Sequence, residues 1–297
     1  MKTTKVGVIV HSGKTFGGGL DELRTTLADS GYKKTIWHEV AKSSAAGKAV
    51  RRSVHAGATL LFVWGGDGMV QQCIDAVRGL DVALAILPAG TGNLLATDLQ
   101  IPRDVRKAVD IGLRGDRRQL DVGRINGERF AVMAGTGFDA TMIGGANAAA
   151  KAEFGRLAYL SSGLRALFHP PVRMRIRIDG RKWFKGKASC AIVGNIGRVT
   201  GGIRVFDDAS PFDGRLDVGV VTAKNPWEWL RVAFYAEHSE NPKNELLERT
   251  RAEKIDIKLH KARSYELDGS RRTRTRRLKI RVEPGAVTMC VPKNLAE

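Results

Sequence analysis

The sequence predicts an α/β first domain, a parallel sheet with helices on both faces, followed by a β-rich antiparallel second domain of sandwich type. Three observations carry this. Up to about residue 120, apolar β-branched runs alternate with stretches of helical spacing, as in βα units. Two of those runs end abruptly in glycine-rich loops, GGDGM at 65–69 and PAGTGN at 88–93. Beyond about residue 120 the pattern changes to alternating strands joined by Asn-Gly and Asp-Gly turns. The expected domains are therefore 1–122 and 123–297, with room for the last residues to pack back on the first.

Taken in order, residues 5–10 are apolar with little alternation, as a buried parallel strand is. HSGKTFGGG, residues 11–19, reads as a flexible turn. Leu20, Leu23 and Leu27 set a helix over 20–30, stopped at Gly31. A second strand covers 35–40. Ser43-Ser44 is the expected N-cap of a helix over 45–55, which Gly57 ends. A strand over 59–64 feeds the GGDG loop and a helix that reaches Val77. A strand over 82–87 feeds the second loop and a short helix over 94–98. A further helical segment starts at Ile101-Pro102 and runs to Leu113.

In the second half, Asn126-Gly127 between apolar runs signals a hairpin. VRMRIRI, residues 172–178, puts apolar side chains on one face and Arg173, Arg175 and Arg177 on the other. Asp179-Gly180 then turns the chain back into RKWF. Residues 255–259 and 278–282 alternate in the same way, as half-exposed antiparallel strands do. Helical inserts are expected at 153–168 and 226–237.

Composition narrows the class. With 43% hydrophobic and 27% charged residues, a chain of 297 residues has ample material for a globular core. Cys73, Cys190 and Cys290 are odd in number and lack disulfide or zinc spacing, so reduced thiols of a cytoplasmic protein are expected. The first apolar run is too short for a signal peptide, and no long apolar stretch reads as a membrane helix. A net charge of +18 attracts nucleic acid, anionic lipid headgroups or nucleotide phosphates. Four Tyr and few clustered aromatics argue against base stacking, so no nucleic-acid partner is expected.

Both glycine loops would open at the carboxyl edge of the parallel sheet, where such sheets bind ligands. Glycines let backbone N–H groups approach phosphate oxygens, and the following helix N-terminus favours negative charge. Asp67 would repel phosphate unless it holds Mg²⁺ or faces a proton to be removed; otherwise it caps a tight turn. Thr91 and Asn93 add donors from the second loop. Two other motifs fail. Ser12-Gly13-Lys14-Thr15 ends like a P-loop, but Val8 stands where its first glycine is required. GTGFDA, residues 135–140, fits a dinucleotide fingerprint but lacks the βαβ unit around it.

GGDGM followed by PAGTGNLLA resembles the diacylglycerol kinase catalytic-domain family of lipid kinases, whose wider superfamily includes sphingosine, ceramide and NAD kinases. The resemblance spans nearly the whole chain. It takes in His11-Ser12-Gly13-Lys14, the stretch 120–140, FGRLAYL at 154–160, Gly201-Gly202 with PFDGRLD at 211–217, and Glu266-Leu267-Asp268-Gly269. It implies an NAD kinase-like first domain that binds ATP, with lipid entering between the domains. The implied ATP-binding residues are Ser12, Gly13, Lys14, Gly65, Gly66, Asp67, Gly68, Met69, Gly90, Thr91 and Asn93. Asp67 and Asp268 are the implied catalytic residues. The resemblance also implies a Mg²⁺ site at Asp213, with main-chain carbonyls of Ser210 and Arg215.

Three positions depart from the family pattern. Met69 and Val40 replace threonines. Ser270 stands where the DGE motif has the glutamate proposed as general base, and serine cannot take that role without an activating base of its own. The segment 271–281 carries seven basic residues and no acidic one. Arg271, Arg272, Arg274, Arg276 and Arg277 are the expected contact with an anionic membrane, and the Arg173/Arg175/Arg177 face could add to it; a solvated hairpin tip is the plainer alternative. The expected protein is thus a cytoplasmic, peripherally membrane-associated, Mg²⁺- and ATP-dependent kinase acting on diacylglycerol or a related lipid alcohol, with room for a homodimer. The alternatives are a catalytically impaired nucleotide- or lipid-binding homologue, and an NAD kinase.

Overall fold

The computed structural model describes residues 4–137, 171–198, 205–225, 227–229, 231–232, 246–293 and 295. The expected insert at 153–168 and the FGRLAYL and Gly201-Gly202 segments lie outside these residues. Of the insert expected at 226–237, residues 227–229 and 231–232 are helical. The chain divides into two compact units, Met1–Asp121 with Pro284–Glu297, and Val122–Glu283.

In the first unit the strands are β1 (Val6–His11), β2 (Ile36–Val40), β3 (Leu60–Gly65) and β4 (Ala83–Pro88). They lie in the order β2-β1-β3-β4, all parallel. β3 is buried along its whole length, because a sheet covered on both faces needs apolar side chains on both. The helices are α1 (Gly19–Asp29), α2 (Ala46–His55), α3 (Asp67–Val77), α4 (Leu94–Asp98) and α5 (Val105–Arg114). α1 turns Leu23 and Leu27 inward, and α5 packs close to the sheet because Gly112 sits against the ring of Phe62.

Two helix starts differ from expectation. Neither Ser43 nor Ser44 caps α2; a 3₁₀ turn over Ser43–Ala45 leads into it, and the Ala45 N–H bonds the Lys42 carbonyl at 3.0 Å. Backbone carbonyls thus satisfy donors that a hydroxyl would otherwise serve. α5 begins at Val105 rather than 101, because Asp104 is its N-cap and accepts from the Lys107 N–H at 2.8 Å.

β5 (Asp116–Ile125), β6 (Glu128–Phe130), β7 (Met133–Thr136), β8 (Val172–Ile178), β9 (Arg181–Ala188), β10 (Cys190–Gly194), β11 (Leu216–Val221), β12 (Leu247–Ala252), β13 (Lys254–Arg263), β14 (Tyr265–Leu267), β15 (Ser270–Arg271) and β16 (Thr275–Val291) complete the chain. The chain crosses between units within β5 and again within β16, whose residues 288–289 run parallel to β4.

The second unit is a sandwich of antiparallel sheets. One carries β16, β13, β8 and β9 in that order; the other is β12-β11-β10-β7-β14-β15. Ile255, Ile257, Ile176 and Leu278 from the first sheet, and Val193, Val218 and Leu267 from the second, belong to one buried cluster. Asn126-Gly127 and Asp179-Gly180 have φ of 48, 106, 47 and 84 degrees, the left-handed pairs that two-residue hairpins require. No helix among the described residues is long and apolar enough to cross a membrane.

Candidate active site

Three loops leave the carboxyl ends of adjacent strands β1, β3 and β4. The loop after β1 is tied down by its own polar atoms. The Gly13 N–H donates to His11 Nδ1 at 3.2 Å and the Lys14 N–H to the His11 carbonyl at 3.0 Å. The Trp64 indole N–H donates to the Lys14 carbonyl at 2.9 Å, and Phe16 packs on the Trp64 ring. Ser12 donates from both backbone and hydroxyl to the Val40 carbonyl. His11, named before only as part of the matched turn, and Trp64, not singled out at all, brace this loop. Trp64, one residue before GGDG, was visible as an aromatic ending the strand, but its bond reaches back 50 residues.

The second and third loops touch each other. A β-carbon on Gly66 would lie 3.0 Å from the Gly90 Cα, so glycine is needed here for backbone contact as well as for access. Asn93, with φ of 49 degrees, is buried and spends its amide on its own loop. Its Oδ1 accepts from the Gly90 N–H at 2.8 Å, and its Nδ2 donates to the carbonyls of Gly90 (2.9 Å) and Pro88 (3.3 Å). It shapes the loop, and its amide group is not left over for a ligand. Met69 also departs from the expected role. Its side chain is 1% exposed and packs beneath Gly65, and its N–H bonds the Gly66 carbonyl at 2.9 Å. Thr91 and Gly68 are exposed.

Asp67 occupies the first turn of α3, and its Oδ1 accepts from the Leu95 N–H at the start of α4 at 3.3 Å. Gly92 lies beside its Oδ2, where a β-carbon would approach to 3.0 Å. Burial pushes the Asp67 carboxyl above its ordinary range, while backbone N–H groups, that of Leu95 foremost, pull the other way. The result is a half-buried carboxylate between two helix starts and beside bare glycine backbone. Such a group can hold a divalent cation or receive a proton.

In the second unit Asp268 is differently employed. It forms, with Gly269, the left-handed turn between β14 and β15. Its Oδ1 accepts from the N–H groups of Val132 (2.9 Å) and Met133 (3.0 Å), and its Oδ2 from that of Ala131 (2.8 Å). Three donors on one carboxylate make Asp268 a clamp on the strand entrance, and they compete with any role as a base. Ser270 is exposed at the start of β15.

The Asp213 carboxylate has local partners on both oxygens. Asp213 Oδ1 accepts from the Arg215 N–H at 2.9 Å, and its Oδ2 faces the Arg251 guanidinium at 3.7 Å. Arg251 also pairs with Asp217 at 3.4 Å. A guanidinium therefore lies beside both carboxylates. Among the described residues no group of three or more His, Cys, Asp or Glu could hold a metal ion.

The arginine segment is partly neutralised within the fold. Arg272 pairs with Glu128 at 2.7 Å, and Arg277 makes two bonds to Asp256 at 2.8 and 2.7 Å. Arg271, Arg274 and Arg276 are exposed. The cysteines are free and buried; burial pushes the thiols of Cys73 and Cys190 up to about 12 and that of Cys290 up to about 11, which removes them as nucleophiles. Gly135-Thr136-Gly137 is structural: Gly137 has φ of 89 degrees and lies against the Ser189 carbonyl.

Comparison with known proteins follows this division. Residues 5–125 match the diacylglycerol kinase catalytic domain, and residues 132–291 match the YegS C-terminal NAD kinase beta sandwich-like domain. A diacylglycerol kinase of Bacillus subtilis is 28% identical over 274 residues, covering 91% of this chain and 90% of that one. A diacylglycerol kinase structure from Bacillus anthracis superposes with a TM-score of 0.78 at 22% identity, covering both chains fully (100% of each). An NAD kinase from Archaeoglobus fulgidus gives 0.53 at 10% identity, covering 97% of this chain and 93% of that one. At such identities the two structures establish the fold alone.

Proposed function

The chain belongs to the diacylglycerol kinase catalytic-domain family of lipid kinases, and from that premise we propose that it uses ATP to phosphorylate the hydroxyl of diacylglycerol or a related lipid alcohol, giving phosphatidic acid or another lipid phosphate. The observation that carries this reading is Asp67, a half-buried carboxylate held at the first turn of α3 beside Gly66 and Gly92. Phosphoryl transfer asks for positioning, charge neutralisation and an acceptor for the hydroxyl proton. The glycine backbone and the α3 N-terminus admit the phosphate chain. Lys14, exposed on the loop after β1, offers a cation to it.

A single hard carboxylate oxygen beside a phosphate cradle fits Mg²⁺, which commonly takes one or two carboxylates and completes its shell with phosphate and water. When bound there, Mg²⁺ would spread the phosphate charge. Asp67 is also the proton acceptor of this reading. Asp268 already accepts three N–H bonds, and Ser270 lacks basicity. The chain is expected to act at the cytoplasmic face of a membrane, where its substrate resides.

Ser270 favours a second reading, a homologue that binds nucleotide or lipid without turnover. The test is transfer of labelled phosphate from Mg·ATP into a total lipid extract, with NAD as a separate acceptor. A labelled lipid supports the reading. Label in NAD alone makes the chain an NAD kinase, and ATP binding with no labelled product makes it the inactive homologue.

A further inference from the structure

The solvent face of the β16-β13-β8-β9 sheet is a grid of cations. Strand register sets Arg277 opposite Lys258, Lys258 opposite Arg175, and Arg175 opposite Lys185. The next row runs Lys279, Asp256, Arg177, Lys182. Lys254 faces Arg281 at one margin, and Arg173 faces Lys187 at the other. Asp256 is the one carboxylate in these rows, and Arg277 already holds it through two bonds. Arg173, Arg175, Lys185 and Lys187 are exposed, with no carboxylate at ion-pair distance among the described residues.

Folding does not call for this arrangement. Like charges directly opposite one another on a sheet are destabilising, and here they recur across three adjacent strand pairs. A polyanionic partner relieves that repulsion. The alternate residues of the same strands, Ile255, Ile257, Met174 and Ile176, are buried in the sandwich core, so the cations are fixed on the outer face. An open hollow of ≈ 860 Å³ on this face is lined by Arg177, Lys254, Asp256, Arg277, Lys279 and Arg281, with the backbone of Gly127 and Gly180 at its edge.

We propose that this sheet face, rather than Arg271, Arg272, Arg274 and Arg276 ahead of it, is the surface by which the protein docks on an anionic phospholipid bilayer. Its occupant follows from charge. A second copy of the same face would be repelled. The rows hold no exposed aromatic side chain for a base to stack on, as single-stranded nucleic acid would favour. Many cations spread over four neighbouring strands suit an extended plane of headgroups, each cation near such a surface adding to attraction. The choice of lipid over duplex nucleic acid also rests on the lipid-kinase reading above.

The test is co-sedimentation with phosphatidylglycerol-containing and pure phosphatidylcholine vesicles, without ATP. The variants are Arg175→Glu with Lys185→Glu and Lys187→Glu, and, as a control of equal charge change, Lys48→Glu with Arg51→Glu and Arg52→Glu on α2. The intact protein is expected to bind only the anionic vesicles, and the sheet variant to bind them at least about tenfold more weakly. The α2 variant is expected to bind as the intact protein does. Equal loss in both variants, no preference for anionic vesicles, or tighter binding to duplex DNA than to vesicles overturns the proposal. If the triple variant fails to fold, Arg175→Gln with Lys185→Gln replaces it, and is expected to raise the melting temperature while weakening vesicle binding. A protein that docks through this face and phosphorylates nothing would refute the kinase reading and leave this one standing.

Discussion

Gly66 and Gly90 meet backbone to backbone, a β-carbon on Gly66 falling 3.0 Å from the Gly90 Cα. The two glycine loops are therefore one structural object, joined at the edge of β3 and β4. Neither glycine is replaceable by even a methyl group. Gly90→Ala is expected to destabilise the protein by about 1–3 kcal/mol, as overpacking does, and to weaken ATP binding as well. Thermal melts and nucleotide titration check this. A variant with unchanged melting and unchanged binding would mean the loops move apart freely.

Asp268 gives a graded series. Alanine leaves the N–H groups of Ala131, Val132 and Met133 without their acceptor. Asparagine can keep the two bonds on one oxygen. Asp268→Ala is expected to cost at least about 2 kcal/mol and Asp268→Asn about half of that, both read from denaturant unfolding. Full stability in Asp268→Ala, with loss of turnover, would return Asp268 to a catalytic role.

Asp217 supplies a pH test of stability. Burial pushes its carboxyl up to about 6, against the pull of Arg251. Between the ordinary value of about 3.9 and that level, the folded chain keeps a proton that the unfolded chain has released. Stability contributed here is therefore present at low pH and lost as pH rises through the window from about 4 to 6, by on the order of 2–3 kcal/mol. Asp217→Asn is expected to remove this part of the slope when the difference from the intact protein is followed by melting at several pH values. Arg251 keeps the Asp208 carbonyl and Asp213 as partners in that variant. A difference that stays flat across the window would show that Asp217 titrates normally.

Ser270 marks the place of the missing family glutamate and is exposed, so a longer side chain meets no packing barrier. With Asp67 as the proton acceptor, Ser270→Glu is expected to change kcat by less than about tenfold. The readout is lipid phosphate formed at saturating ATP. A gain of about 10²-fold or more, the usual contribution of a general base, would mean that the intact protein lacks an adequate acceptor.

Local signals made much of this legible in the sequence. The strands β1, β3 and β4 were visible because buried parallel strands are apolar nearly throughout, and glycine-rich loops end β3 and β4 sharply. The hairpins at Asn126-Gly127 and Asp179-Gly180 were visible because those pairs tolerate positive φ. What was hidden depends on partners far along the chain. Asp268 is separated by 135 to 137 positions from the N–H groups it holds, and Arg272 by 144 from Glu128. Met69 sits in a loop motif, yet helical geometry turns its side chain under Gly65. The cationic sheet face emerges only from register, since β8 and β13 are far apart in sequence and each shows merely its own alternation.

The most direct measurement of the central claim is the initial rate of phosphate transfer from Mg·ATP to diacylglycerol by the intact protein and by Asp67→Asn, with melting curves alongside. Burial already works against the Asp67 charge, so asparagine is expected to melt no lower than the intact protein. The account predicts phosphatidic acid from the intact protein and a fall of at least about 100-fold in Asp67→Asn. A folded Asp67→Asn variant that turns over at the intact rate would contradict it.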